Sequence, residues 1–191
     1  KDTACERVFA PLDDMEALMR KHKIPLFSLE TYTPLKEFDI IGFSLQYELS
    51  YTNILNMIDL AEIPVMASER GETEPLVIAG GPTAISPEPL ADFIDLFLIG
   101  DGEESLPHLV ELWKGMNQKK LSRKEKIVSL AQTLKNVYAP SLYEVIYHQD
   151  NTIQEIRPRI SGLPSPIRSA SVRDLNKTYF PTKPIVPYVK T

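Results

Sequence analysis

Three stretches in the middle of the chain share one pattern: a short apolar run, a polar or glycine-containing loop, and then helical spacing. The apolar runs are residues 39–43, 76–79 and 96–99. They are continuous rather than alternating, which is typical of parallel strands that are buried on both faces. The segments that follow them predict helices over residues 51–62, 87–93 and 103–116.

The third predicted helix shows how these units pack. Its apolar side chains recur at positions i, i+3, i+4 and i+7, and they are Leu106, Leu109, Val110 and Trp113. This spacing gives one apolar stripe for packing on a sheet. Alternating strands and helices with short loops indicate right-handed crossovers and an open, doubly wound sheet. The predicted fold class is therefore α/β, with a mainly parallel sheet and helices on both faces.

The residues before the first unit are less regular. Residues 7–10 and 25–28 are predicted as short strands, and the helix between them is expected to use Asp13 or Asp14 as its N-cap. An open sheet usually begins with a strand and a crossover helix, and no such pair is visible in this part of the sequence. The first strand–helix unit of the fold is therefore expected before Lys1.

The residues after the third unit predict one more helix and a hairpin. Ser122 and Glu125 have the spacing of a capping box. The helix that follows carries apolar residues at helical spacing, namely Ile127, Leu130, Ala131 and Leu134. Residues 142–147 and 153–157 predict a β-hairpin that turns at residues 150–151.

The tail of the chain is rich in proline. From Arg157 onward, prolines stand at positions 158, 164, 166, 181, 184 and 187. Little regular structure can form there, so we expect an extended stretch that lies on a partner surface or is mobile. The predicted organisation is an α/β domain over residues 1–137, a β-hairpin appendage over 138–160 and a proline-rich basic linker over 161–191.

Charge and composition exclude several classes of protein. The first 156 residues carry 14 of the 21 basic and 25 of the 26 acidic side chains, so the body of the chain is acidic. An acidic body argues against nonspecific nucleic-acid binding. The apolar runs are far shorter than the ~20 residues that a membrane helix needs. The single cysteine, Cys5, excludes an internal disulfide, and the cytoplasm is the expected compartment.

Candidate chemistry lies where the predicted strands end, because ligands of open parallel sheets bind beyond the carboxyl ends of the strands. The residues there are Ser44, Gln46, Tyr47, Glu48, Gly80, Gly81, Pro82, Thr83, Gly100, Asp101, Gly102 and Glu103. The glycines let a ligand approach the backbone closely, or Gly80 and Gly81 only make a tight turn; the sequence leaves both open. Glu103 and Glu104 suit a helix start and disfavour phosphate. We predict no catalytic or metal-binding residue.

Two segments resemble a known family. Residues 75–90 read PLVIAGGPTAISPEPL and residues 95–104 read DLFLIGDGEE. They resemble the strand–GGP–PE–strand–G(E/D)GE signature of amino-terminal domains in cobalamin-binding-type radical S-adenosylmethionine (radical-SAM) proteins. Residues 38–53 are similar to the preceding unit of one uncharacterised subfamily, and the resemblance covers residues 6–115.

The resemblance implies a flavodoxin-like domain that handles a corrinoid or a substrate in front of a radical-SAM barrel and is itself non-catalytic. It implies that the nucleotide tail of cobalamin would be bound by Ser44, Gly80, Gly81, Pro82, Gly100 and Gly102. The family's C-x-x-x-C-x-x-C and D-x-H-x-x-G motifs are absent from this chain. The [4Fe–4S] cluster and S-adenosylmethionine are therefore expected only in the barrel.

The barrel of the same polypeptide is the expected partner, and the isolated chain is expected to self-associate through a bare strand edge or its tail. Two other functions stay open at this point. One is a domain of the same fold that binds no cofactor and serves as a scaffold or interaction module. The other is an independent flavodoxin-like hydrolase or transferase.

Overall fold

The computed structural model describes residues 3–178. The helices there are α1 (Asp13–His22), α2 (Tyr51–Leu60), α3 (Gly102–Gln118) and α4 (Arg123–Thr133). The strands are β1 (Ile40–Ser44), β2 (Leu76–Gly80), β3 (Leu96–Leu98), β4 (Val137–Tyr138), β5 (Tyr143–Tyr147) and β6 (Ile153–Pro158). No helix among these residues is long and apolar enough to cross a membrane.

The four-stranded main sheet has the order β1-β2-β3-β4. β1, β2 and β3 run parallel, with Ile41 opposite Val77 and Ile78 opposite Leu96. Every residue of β3, and all of β2 except Gly80, is buried, so both faces of these strands are covered. The prediction of an α/β, flavodoxin-like, mainly parallel open sheet is confirmed.

The fourth strand was not predicted. β4 pairs antiparallel with β3, with Phe97 opposite Tyr138. It spans the predicted boundary between the α/β domain and the hairpin. Beyond it, Leu142 and Tyr143 belong to the same buried core as the sheet. The base of the hairpin therefore continues the main core. Two residues carry too little pattern to mark a strand, which is why β4 was missed.

Several predictions for the amino-terminal part are wrong. Residues 7–10 form no strand, because among the described residues no neighbouring strand is there to pair with them. Residues 25–28 contribute a single bridge, from Phe27 to Pro34, since Pro34 cannot donate to a ladder. α1 forms as expected, but its N-cap is Leu12 and no side chain caps it. Asp13 and Asp14 lie within the first turn, where their charge favours the helix dipole instead.

The prediction of a helix over residues 87–93 is also wrong. Two short 3-10 turns, Pro82–Ile85 and Glu88–Leu90, connect β2 to β3. Pro89 disfavours the α conformation at Glu88, the residue before it, and the amides of Leu90 and Ala91 bond to the carbonyls three residues earlier instead.

The later elements match the sequence pattern. Ser122 and Glu125 form the predicted capping box at the start of α4. The apolar residues of that helix are buried against the sheet core. β5 and β6 form the predicted hairpin, with Asn151 in the left-handed conformation at its turn (φ 65°).

The described part of the tail is irregular apart from a 3-10 turn at Leu175–Lys177, and its first residues lie on the domain itself. The Tyr143 hydroxyl donates to the Pro164 carbonyl over 2.8 Å, and the Gln132 side chain donates to the Ser161 carbonyl over 2.9 Å. Residues 179–191 of the predicted linker lie outside the described residues.

A buried charge cluster lies at the amino end of β3. Asp95 Oδ2 accepts hydrogen bonds from Arg70 (3.0 Å), Arg123 (2.8 Å) and the Val77 amide (2.8 Å). Burial lowers the pKa of Arg70, and the charge of Asp95 opposes that shift. The remaining donors of Arg70 bond to backbone carbonyls, including that of Phe93 at 2.7 Å. The cluster therefore joins the loop before β2, the start of β3 and the start of α4.

Candidate functional site

A cleft of about 630 Å³ lies at the carboxyl ends of β1, β2 and β3. This is the edge of an open α/β sheet where ligands bind. Its volume falls within the ~300–1,000 Å³ that small-molecule sites occupy. The glycine, serine and proline residues that line it are Gly42, Ser44, Gly80, Gly81, Pro82, Gly100, Gly102 and Ser169.

Part of the floor of the cleft is bare backbone, at Gly42 and Gly80. The parallel register places Gly42 beside Ile78 and Ser44 beside Gly80, so Gly42, Ser44 and Gly80 face the same side of the sheet. A Cβ added at Gly42 would come no closer than 3.7 Å to the Ile78 side chain. One added at Gly80 would come no closer than 3.5 Å to the Leu98 carbonyl. Side chains there would fill the cleft rather than collide with the fold, so their absence leaves room for a ligand to reach the backbone.

The backbone conformation at position 81 requires a glycine. Its φ is 110°, and an added Cβ would lie 2.9 Å from the Leu45 carbonyl oxygen. The same turn is held by the Leu45 amide, which donates to the Gly80 carbonyl over 2.7 Å, and by the Thr83 amide, which donates to the Leu45 carbonyl over 3.1 Å. Gly81 is therefore required by the tight turn, whether or not a ligand binds beside it.

Gly100 is required by the tail. Residues 168–172, here called the strap, run alongside the chain that leaves β3. The Ala170 amide donates to the Ile99 carbonyl over 2.9 Å, and the Asp101 amide donates to the Ala170 carbonyl over 3.0 Å. Gly100 has φ 90°, and a Cβ added there would lie 2.3 Å from the Ala170 carbonyl oxygen. Only glycine lets the strap approach this closely, and Ser169 of the strap thereby becomes part of the cleft wall.

The start of α3 forms one side of the cleft. The N-cap residue Asp101 does not cap its own helix, because its Oδ2 atom accepts from the Val172 amide over 2.8 Å. Gly102 has nothing within 4 Å of an added Cβ, so the first turn is open to the cleft. The carboxylates of Asp101 and Glu103 line the same side and disfavour an anion there. Neutral groups that accept or donate hydrogen bonds, such as amides, suit this wall better.

The mouth of the cleft carries exposed apolar side chains. Ile85 is 74% exposed and Leu106 is 42% exposed, and both line the cleft. Leu49, in the loop that leaves β1 at the same edge, is 85% exposed. Clustered exposed apolar residues mark surfaces that contact a ligand or a partner.

One buried tyrosine is hydrogen-bonded to the segment over residues 80–89, which carries the GGP–PE signature. The Tyr138 hydroxyl of β4 donates to Glu88 Oε1 over 2.7 Å. Burial, and next the Glu88 carboxylate, raise the pKa of Tyr138 far above its usual value, so it stays protonated as the donor. The glutamate of the sequence signature therefore has a structural partner on the fourth strand.

The described residues contain no group of three or more histidine, cysteine, aspartate or glutamate side chains that could hold a metal ion. The single cysteine, Cys5, is exposed. It cannot by itself supply the thiolates that a [4Fe–4S] cluster requires, so the cluster does not fit this chain.

The structure brings the predicted site residues together. The six predicted positions, Ser44, Gly80, Gly81, Pro82, Gly100 and Gly102, all line the cleft. Their role in binding stays a prediction. Gln46, Tyr47 and Glu48 were expected at this edge, but they lie in the exposed loop after β1 and are not among the residues that line the cleft. Thr83 was expected there too, but it does not line the cleft, and its hydroxyl donates to the Leu45 carbonyl over 3.1 Å.

The sequence reasoning missed nine lining residues: Gly42, Phe43, Ile78, Ala79, Ile85, Leu98, Ile99, Leu106 and Ser169. The period-2 alternation of a strand would have placed Gly42 on the same face as Ser44. No local signal marks Ser169, because a tail contact brings it to the cleft.

An open, mainly parallel sheet with a cleft at the carboxyl ends of its strands defines the flavodoxin-like class of ligand-binding α/β domains. Within that class, a match to the family described as "radical SAM proteins, N-terminal" covers residues 1–140. The chain belongs to this family. No solved structure matches it.

A curated relative is an uncharacterized protein of Methanocaldococcus jannaschii, which is 33% identical over 88 residues. The match covers 45% of this chain and 18% of the relative, so this chain corresponds to a small part of that protein.

Proposed function

We propose that this domain is the accessory, non-catalytic part of a radical-SAM enzyme, and that its cleft forms one wall of a site for a corrinoid or for the substrate. The other wall comes from the catalytic barrel of the same polypeptide. The [4Fe–4S] cluster and S-adenosylmethionine belong to that barrel.

The observation that carries the proposal is the bare floor of the cleft at Gly42, Ser44 and Gly80, beneath a mouth with exposed apolar residues. A bare floor admits a flat or bulky group against the backbone. An exposed apolar rim favours cover by a ligand or by a second protein surface. A site with these two properties is suited to holding a large neutral group between two domains.

Two features of the cleft support cobalamin as its ligand. Its nucleotide tail could lie over the open space above Gly42 and Gly80, and its neutral amide side chains suit the wall formed by Asp101 and Glu103. The chain lacks the D-x-H-x-x-G motif, so none of its histidines is assigned to cobalt. Its contribution to a corrinoid would be to hold the tail and exclude water.

A second candidate function is a scaffold of the same fold that binds no cofactor. Gly81 and Gly100 favour it, because the turn and the strap explain both without a ligand. On this view the cleft is only the surface on which the barrel packs.

A titration with hydroxocobalamin and adenosylcobalamin, followed by equilibrium dialysis and the visible spectrum, tests the corrinoid role. It compares the wild-type full-length protein with a Gly42→Val variant, whose side chain fills the cleft. The matched control is Gly115→Val in α3, where an added Cβ has nothing within 4 Å and lies outside the cleft. Valine in place of glycine is tolerated by both a strand and a helix.

The corrinoid role predicts saturable binding by the wild-type protein. Gly42→Val should raise the dissociation constant at least ~10-fold, because its side chain fills the space that the ligand occupies. Gly115→Val should leave the dissociation constant unchanged. Absence of binding by the wild-type protein would leave the scaffold as the function. Equal binding by both variants would place the corrinoid elsewhere in the polypeptide.

A further inference from the structure

One face of the β5–β6 hairpin is apolar. The register pairs Val145 with Ile156 and Tyr147 with Ile153. Residues directly opposite each other in an antiparallel pair point to the same side, and so do residues two apart along a strand. The register skips Gln154, and this irregularity brings Ile153 rather than Gln154 opposite Tyr147. The four paired side chains therefore share one face, here called the apolar face.

The opposite face of the hairpin is charged. Glu144 lies opposite Arg157, and Arg157 forms an ion pair with Glu155 over 2.7 Å. These three side chains are exposed to solvent. Ile146, which lies opposite Glu155, is the apolar residue on this side. A sheet with one charged and one apolar face is typical of a sheet that is solvated on the first and packed against another surface on the second.

The apolar face is continuous with the core of the domain. Tyr143 lies two residues before Val145, on the same side of β5, and it is buried in the core. Farther along the hairpin the same face becomes exposed, with Tyr147 54% and Ile153 46% accessible to solvent. An isolated two-stranded hairpin is at best marginally stable in water. A row of apolar side chains that leaves the core and enters solvent therefore indicates a surface that covers it.

We propose that the apolar face docks on an apolar surface of a later part of the same polypeptide, at a contact separate from the cleft. The small size of the face supports this occupant. Three side chains that are about half exposed offer roughly 300 Å² of apolar surface, well below the ~800 Å² per partner that a stable interface between separate proteins buries. A tethered contact can be smaller, because the connection removes most of the entropy lost on association.

The position of the tail supports the same occupant. The tail leaves the hairpin at its base, where the Arg159 amide donates to the Leu142 carbonyl over 2.8 Å. Whatever follows the tail is therefore tethered to the hairpin. The relative of this chain has ample length for such a partner, since its 88 matched residues are only 18% of it. The proposal does not depend on whether the cleft binds a corrinoid.

Hydroxyl-radical footprinting tests the proposal on the full-length protein and on the 191-residue chain, each at two protein concentrations. Oxidation of Tyr147 and Ile153 reports on the apolar face. Ile146 is the internal reference, because it lies on the same hairpin and points to the charged side. Two variants of the full-length protein complete the test: Ile153→Lys places a charge on the apolar face, and Ile146→Lys is the matched control on the other face.

The proposal predicts that Tyr147 and Ile153 are oxidised at least ~10-fold more slowly in the full-length protein than in the 191-residue chain, at both concentrations, while Ile146 reacts equally in the two. Ile153→Lys should restore the oxidation of Tyr147, because a buried charge without a partner is costly, and Ile146→Lys should leave it slow.

Equal oxidation of Tyr147 in the full-length protein and the 191-residue chain would overturn the proposal. Protection that is lost on dilution would also overturn it, because a second copy would then cover the face. The same response to both lysine variants would overturn the assignment to the apolar face.

Discussion

Replacing Asp95 by asparagine should be among the most destabilising conservative substitutions in this domain. Asp95 is 3% exposed and lies between the guanidinium groups of Arg70 and Arg123. Asparagine keeps the shape of the side chain but removes the charge, so two buried cations are left facing each other. Removing one member of a buried ion network costs about 3–5 kcal/mol. That is a large part of the ~5–15 kcal/mol by which domains of this size are stable.

Urea unfolding followed by circular dichroism measures this cost. The matched control is Asp59→Asn, which removes a carboxylate that also pairs with an arginine, Arg20, but is 55% exposed. Exposed pairs contribute at most about 1 kcal/mol. We expect a much lower urea midpoint for Asp95→Asn than for Asp59→Asn, with unchanged slopes. Equal midpoints for the two variants would refute the idea that the buried cluster fixes the amino end of the sheet.

Two further predictions concern the tail. Burial raises the pKa of Tyr143 to about 12 from an ordinary value of 10.0. The stability that this phenol contributes should therefore be present below pH 10 and be lost as the pH rises toward 12. The urea midpoints of the wild-type protein and of Tyr143→Phe should converge over that range. A constant difference between the two midpoints across the range would contradict the raised pKa of Tyr143. Gly100→Ala should cost ~1–3 kcal/mol and release the strap, because its backbone is left-handed and its Cβ would meet Ala170. Faster hydrogen exchange of the Ala170 amide would show that the strap is released. The control variant Gly102→Ala should leave that exchange rate unchanged. An equal response of the two variants would argue against a close approach of the strap to Gly100.

The strands that carry the cleft could be predicted from the sequence because their pattern is local. β2 and β3 are continuous apolar runs, and each is followed at once by a glycine-containing loop. The rule that ligands bind beyond the carboxyl ends of parallel strands then brings distant residues to one edge. All six predicted site positions accordingly line one cleft.

The features that were missed depend on contacts distant in sequence. β4 is only two residues long, and it exists because the edge of β3 is available to pair with it. The strap reaches Gly100 from a segment whose prolines indicated only the absence of regular structure. Asp95 looked like part of a family signature, but its position between two buried arginines is visible only in three dimensions.

The predicted helix over residues 87–93 failed for a local reason. Pro89 disfavours the α conformation at the residue before it, so the segment forms short 3-10 turns. The short turns that replace the helix keep Leu90 buried, so the packing survives without the regular element.

The central claim is that the mouth of the cleft is covered by the rest of the polypeptide. Hydroxyl-radical footprinting measures this directly by comparing the oxidation of Ile85 and Leu106 in the full-length protein and in the 191-residue chain. Ile78, which is buried in the cleft floor, serves as the reference that should stay unreactive in both. The account predicts that Ile85 and Leu106 react readily in the 191-residue chain and are strongly protected in the full-length protein. Equal reactivity of both residues in the two proteins would contradict the claim that this cleft is one wall of a shared site.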